Sequence, residues 1–125
     1  MLDKLDRLFV VYRRSWIALF WLALLFTLVM ALLPKPPPLP GQPTDKFQHI
    51  VAFAVLTLQS FAAYPLTRWL ARFGWLAAFG AVIELGQMIP VLGRSADLAD
   101  WLADSAAILI TIAITAIFDR WRRKG

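Results

Sequence analysis

Four stretches of this chain, residues 16–33, 47–67, 73–93 and 101–118, hold 78 of its 125 residues and only two charged side chains, Glu84 and Asp104. The other 19 charges fall in the remaining 47 positions. A helix in water keeps a polar or charged face at every turn, so four nearly charge-free runs of this length exclude a water-soluble bundle. At 1.5 Å per residue, runs of 18 and 21 residues extend about 27 and 31 Å, close to the roughly 30 Å hydrocarbon core of a bilayer. The expected fold is all-α, a transmembrane four-helix bundle forming one domain over residues 1–125.

Composition narrows the chemistry. The apolar share is 60%, against roughly 45–50% in an ordinary soluble domain. With no cysteine there is no disulfide, thiolate nucleophile or Cys-type zinc site. The net charge of +5 sits at the ends of apolar runs, so the expected partner is the lipid bilayer with its anionic surface, and not nucleic acid. A basic segment with Arg13 and Arg14 precedes the first run, as in a signal peptide. That run is longer than a signal-peptide core and no small-x-small cleavage site follows it, so it is expected to stay as a helix.

Counting Lys and Arg orients the chain. With the N-terminus in the cytoplasm, ten cations fall inside (Lys4, Arg7, Arg13, Arg14, Arg68, Arg72, Arg120, Arg122, Arg123 and Lys124) and three outside (Lys35, Lys46 and Arg94). The excess predicts that both termini are cytoplasmic. Trp16, Trp75, Trp101 and Trp121 lie near run ends, where interfacial anchors belong. The connection 34–44 carries six of the eight prolines and is expected to be a stiff, extended external linker. Residues 66–73 read as a short basic turn on the inner lipid surface.

Most unusual polar residues converge on the outer side. His49 lies one turn into the second run and Asp104 one turn into the fourth, while Arg94, Asp97 and Asp100 occupy the connection between the third and fourth. Counting back from Gly93 places Glu84 near the bilayer midplane. At 100° per residue, Asp97, Asp100 and Asp104 share a helix face, as do Gly80, Glu84 and Gln87, and Asp45, His49 and Phe53. A mid-membrane carboxylate is costly unless paired or wetted, so Glu84 should face the interior, and three inward stripes would line a pocket open to the outside. Pro90 should also deprive the Gly86 carbonyl of its helical donor, opening the ladder beside Glu84. Simpler roles stay open: Asp45 as a cap with Thr44 and Gln48, Asp97 as a dipole partner behind Ser95, His49 as a backbone hydrogen-bonder, and Arg94 as a snorkelling cation.

The series Asp45-Lys46-x-x-His49-x-x-x-Phe53, Glu84-x-x-Gln87 and Pro90-x-x-Gly93-Arg94-x-x-Asp97-x-x-Asp100 resembles the VanZ-like family of small bacterial membrane proteins. The resemblance covers roughly residues 45–107. It implies a cell-envelope setting and an association with tolerance of the glycopeptide teicoplanin, without an established reaction. The fourth run departs from the family pattern, with Asp104 and Ala107 where the family usually has Asn and Gly. That departure replaces an amide by a potential anion, which favours cation binding.

Three functions are expected to compete. The first is a protein of the bacterial inner membrane that binds a lipid-linked envelope precursor or an amphiphilic antibiotic. Its binding residues would be Asp45, Lys46, His49, Glu84, Gln87, Arg94, Asp97, Asp100 and Asp104, with Arg94 and Lys46 on phosphate or carboxylate. The second is an intramembrane enzyme acting on a lipid-linked phosphate or ester, with Glu84 and His49 as candidate catalytic groups and Asp97, Asp100 and Asp104 as candidate metal ligands. No established metalloenzyme, nucleophile-elbow or Walker motif accompanies them, and no cofactor is expected. The third is a proton-coupled transporter or its accessory subunit, relaying protons through His49 and Glu84. Four spans are few for transport, so this reading needs a homo-oligomer, with Gly74, Ala78 and Ala81 as a small-residue packing surface unless they serve the bundle itself.

Overall fold

The computed structural model describes residues 4–33, 45–89 and 98–124. The linker 34–44, Pro90, Arg94, Ser95 and Asp97 lie outside them, as do the side chains of Asp45 and Lys46. The described residues are helical, with no strand among them: α1 (Lys4–Val11), α2 (Arg13–Leu32), α3 (Asp45–Ala63), α4 (Trp69–Gln87) and α5 (Leu98–Lys124). α1 and α2 are nearly one helix. Tyr12 leaves helical geometry, yet its N–H still donates to Leu8 and its carbonyl still accepts from Trp16.

The four long helices form the expected all-α bundle. α3 packs most extensively on α5, α2 on α3 and α4 on α5, with smaller contacts between α2 and α4 and between α3 and α4. The cyclic order is therefore α2, α3, α5, α4, and α3 faces α4 across a diagonal. Gln87 Nε2 donates to the Ala31 carbonyl at 3.0 Å, so α2 and α4 finish at one end of the bundle. His49 meets Asp104, so α3 and α5 begin at that same end.

Apolar and polar groups are distributed the opposite way from a soluble protein. Leu22, Phe26, Trp75, Leu85, Ile110 and Ile117 point outward, whereas Thr57, Ser60, Arg72, Glu84, Gln87 and Asp104 are buried. In water this exposure would drive association; in lipid it carries no penalty. Thr27, Thr57, Thr111 and Thr115 each donate to the carbonyl four residues earlier, which satisfies their hydroxyls without water. α2, α4 and α5 are each long and apolar enough to cross a membrane. The apolar part of α3, Phe47–Ala63, is 17 residues, about 25 Å of helix.

Several element ends differ from the sequence expectation. The second run stops at Ala63, four residues short of Thr67, because Pro65 cannot donate a helical hydrogen bond. α4 starts at Trp69, so residues 69–73, expected in a surface turn, are helical. It ends at Gln87, six residues before Gly93, which puts Glu84 in the last helical turn and not mid-helix. The Gly86 carbonyl is not left open: the Ile89 N–H donates to it at 3.2 Å, and Met88 N–H donates to Leu85 at 3.2 Å, closing the helix with tighter i→i+3 bonds. α5 runs on to Lys124, beyond the expected end at Phe118.

Gly80 shows why the centre can close. A Cβ there would stand 3.3 Å from Phe53 Cζ and 3.4 Å from Trp101 Cδ1, so the missing side chain admits two aromatic rings against α4. Phe53 joins Leu56, Ile83, Ile108 and Ile112 in the apolar core and meets Phe79 with ring centroids 5.9 Å apart. The expected small-residue surface faces away from this core. Gly74 and Ala78 are exposed, Ala81 is half-buried, and nothing lies within 4 Å of a Cβ built on Gly74.

Candidate functional site

The polar residues at the α3 and α5 starts and the α4 end meet where the three helices face one another. His49 stands one turn into α3, Asp104 nearly two turns into α5, and Glu84 in the last turn of α4. Each offers a ligand atom, and these atoms all lie within 4.8 Å of one another. His49 Nδ1 is 3.4 Å from Asp104 Oδ2. Asp104 is 1% exposed and Glu84 9%; the half-buried His49 ring is the most accessible of the three. One imidazole and two carboxylates therefore share a site largely shut off from solvent, on three separate helices.

The geometry divides the expected residues into groups. His49, Glu84 and Asp104 come together. Gln87 shares the Glu84 face of α4 but spends its amide on Ala31 at the end of α2, where it closes a helix terminus. Asp100 lies one turn before Asp104 in the first turn of α5, half-buried. Asp45 and Lys46 open α3, and Arg94 and Asp97 are outside the described residues. The expected metal set of Asp97, Asp100 and Asp104 runs along one helix, with Asp97 outside the described residues. Asp104 also converges with residues 55 and 20 positions earlier in the sequence, His49 and Glu84.

Electrostatics makes the cluster attractive to a cation. Burying two carboxylates costs several kcal/mol unless opposite charge or donors compensate. The peptide carbonyls ending α4 add negative potential beside Glu84, while the N-termini of α3 and α5 add positive potential nearer His49 and Asp104. Among the described residues His49 faces Asp104, and its 3.4 Å approach is long against the roughly 2.7–2.9 Å of a charge-assisted hydrogen bond. Asp104 Oδ1 is buried with no hydrogen-bond partner among the described residues.

Two features escaped sequence reasoning. Trp101, expected as an interfacial anchor, turns inward and donates from Nε1 to the Ala77 carbonyl at 3.0 Å, roofing the core beside Gly80. Trp75 and Trp121 are exposed as anchors should be. Arg72, expected in a surface turn, is buried at the opposite end from His49. Its guanidinium donates to Ser60 Oγ, the Tyr64 carbonyl and the Thr67 carbonyl and stacks 3.8 Å above the Phe61 ring. The available signal was Pro65, which leaves carbonyls at the end of α3 without helical donors a few residues before an arginine.

Comparison with protein-family models, curated proteins and solved structures finds no match to this chain.

Proposed function

We propose that this chain is a VanZ-like protein of the bacterial cytoplasmic membrane, crossing it four times with both termini inside, which binds a lipid-linked envelope molecule or amphiphilic antibiotic at its outer end. The observation that carries this reading is the place of the His49–Glu84–Asp104 cluster. It lies at the end of the bundle that receives the connections 34–44 and 90–97, opposite the end holding Arg13, Arg14, Arg68 and the basic close of α5. Positive-inside logic makes the basic end cytoplasmic and the cluster external. In the sequence Lys46 opens α3 and Arg94 falls in the connection 90–97; as cations they suit a phosphate or carboxylate, with His49, Glu84 and Asp104 as the polar floor.

The same cluster favours one second reading, a metal-dependent enzyme acting on a lipid-linked phosphate or ester, because an imidazole and two carboxylates on separate helices form a ligand set as well as a binding floor. One comparison tests the first reading: a deletion strain, the wild type and Glu84→Gln, scored for sensitivity to teicoplanin and other envelope-targeting antibiotics, with membrane abundance measured in parallel. Greater sensitivity of the deletion strain, restored by wild type and not by equally abundant Glu84→Gln, supports it. Equal sensitivity of all three strains removes it.

A further inference from the structure

The geometry points to a divalent transition-metal site built from His49, Glu84 and Asp104, with Zn²⁺ as the fitting probe; this deepens the reading proposed for the outer end and rests on it only for biological purpose. Three observations carry it. First, the three residues come from α3, α4 and α5, so no single helix face produces them, and a surface acidic stripe would not arrange them this way. Second, they are inside the protein: the carboxylates of Glu84 and Asp104 are buried and converge with the imidazole to within 4.8 Å. Third, Asp104, 1% exposed and one of the three converging residues, has its Oδ1 buried with no hydrogen-bond partner among the described residues. A buried carboxylate oxygen in that state is open to a cation.

Size and chemistry select the ion. Ligand atoms at the corners of a tetrahedron around Zn²⁺, with bonds of roughly 2.0–2.1 Å, stand about 3.3–3.4 Å apart. The His49 Nδ1 to Asp104 Oδ2 separation is 3.4 Å, matching one edge of that tetrahedron while being long for a direct ionic hydrogen bond; the set as a whole spans up to 4.8 Å, so the ion would draw the remaining ligand inward. An imidazole ligand favours Zn²⁺ and its neighbours over Mg²⁺ and Ca²⁺, which prefer all-oxygen shells. Three protein ligands leave the fourth position of a tetrahedral ion free. An incoming phosphate or carboxylate oxygen can fill it. The net charge agrees: a neutral imidazole with two carboxylates carries −2, which one divalent ion cancels.

The test uses the full chain purified in detergent and freed of metal with a chelator. Zn²⁺ is titrated by calorimetry, and bound metal per chain is measured by elemental analysis after desalting. Co²⁺ substitution is read from its visible absorption, which intensifies in a four-coordinate site. The expected result is one Zn²⁺ per chain, not displaced by equimolar Mg²⁺, with affinity at least tenfold weaker in His49→Ala, Glu84→Gln and Asp104→Asn. Asp104→His, which keeps a metal ligand at that position, retains binding; it also guards against a simple folding defect, as does monodisperse elution of each variant. Failure of monodisperse wild type to bind Zn²⁺ overturns the site, as does binding that all three ligand variants leave unchanged. These measurements involve no envelope molecule. Zn²⁺ binding without an antibiotic phenotype therefore sinks the proposed function and keeps the metal site, and the reverse pattern does the opposite.

Discussion

The guanidinium of Arg72 donates from Nη1 to the Ser60 hydroxyl at 2.7 Å, across the diagonal of the bundle between α4 and α3. Ser60 in turn donates to the Thr57 carbonyl at 2.6 Å. With the Tyr64 and Thr67 carbonyls also satisfied by Arg72, one side chain at 2% exposure gathers the end of α3, the turn after it and the start of α4. It stands opposite the metal-ligand cluster, so the bundle has a cationic lock at one end and an anionic cluster at the other.

That lock makes a quantitative prediction. Removing a charged donor from buried acceptors leaves them unsatisfied, and hydrogen bonds to charged groups contribute about 1.5–3 kcal/mol. Arg72→Ala should lower stability by about 2–3 kcal/mol in unfolding titrations with a denaturing detergent in mixed micelles. Arg72→Lys should recover only part of it, since a single ammonium cannot reach the hydroxyl and both carbonyls in the same fork. Combining Arg72→Ala with Ser60→Ala should give less than the sum of the single losses, because the two side chains are direct partners.

Gly80 is the second test of packing. The Phe53 and Trp101 rings come within 3.3 and 3.4 Å of where a Cβ on Gly80 would stand. Gly80→Val should cost about 1–3 kcal/mol through overpacking, partly relieved by Phe53→Leu, which removes ring atoms facing the new methyl groups. Gly74→Val, on an open surface, serves as the control and should leave the melting temperature of the purified protein within a few degrees of wild type.

Much of this architecture is legible in the sequence, and the parts that are not have physical causes. The four apolar runs locate the long helices because lipid tolerates no other backbone arrangement for such segments. Helix ends are less visible, since run length counts apolar residues whereas the backbone stops where donors fail, at Pro65 after α3 and at the tight turn of Met88 and Ile89 after α4. His49, Glu84 and Asp104 stand out individually as polar groups in apolar runs. Their partnership needs the register between helices, which spacing along one helix cannot supply, so Asp104 groups with Asp100 by periodicity and with His49 in space. Arg72 is misplaced for the opposite reason: two arginines around a turn, Arg68 and Arg72, look solvated until the free carbonyls of α3 are found beneath Arg72.

Topology has a direct chemical test because the chain contains no cysteine. Single substitutions therefore report from an unlabelled background. Gln42→Cys, in the connection at the cluster end, should react with a membrane-impermeant maleimide on intact cells. Leu66→Cys, at a position 91% exposed in the turn beside Arg72, should react only after permeabilisation. The reverse pattern would place the His49 cluster in the cytoplasm and remove the outer-pocket assignment, and equal labelling of both would contradict an odd number of crossings between them.

Asp104 separates stability from function most sharply. In metal-free protein its carboxylate is buried beside Glu84, and its contact with His49 at 3.4 Å is too long to offset much of the desolvation penalty. Asp104→Asn removes a negative charge and adds an amide that can donate to a neighbouring carboxylate. Unfolding in the presence of chelator should therefore show the variant as stable as wild type or up to about 1 kcal/mol more stable, as when a strained functional group is neutralised. Saturating Zn²⁺ should reverse the order, because a ligand that binds only the folded state raises its stability by about 2.7 kcal/mol at a hundredfold excess over its dissociation constant. Wild type gains this increment in full and the variant loses most of it. A variant markedly less stable than wild type in chelator, and equally stabilised by Zn²⁺, would show that Asp104 serves the packing of α5 and not a cation.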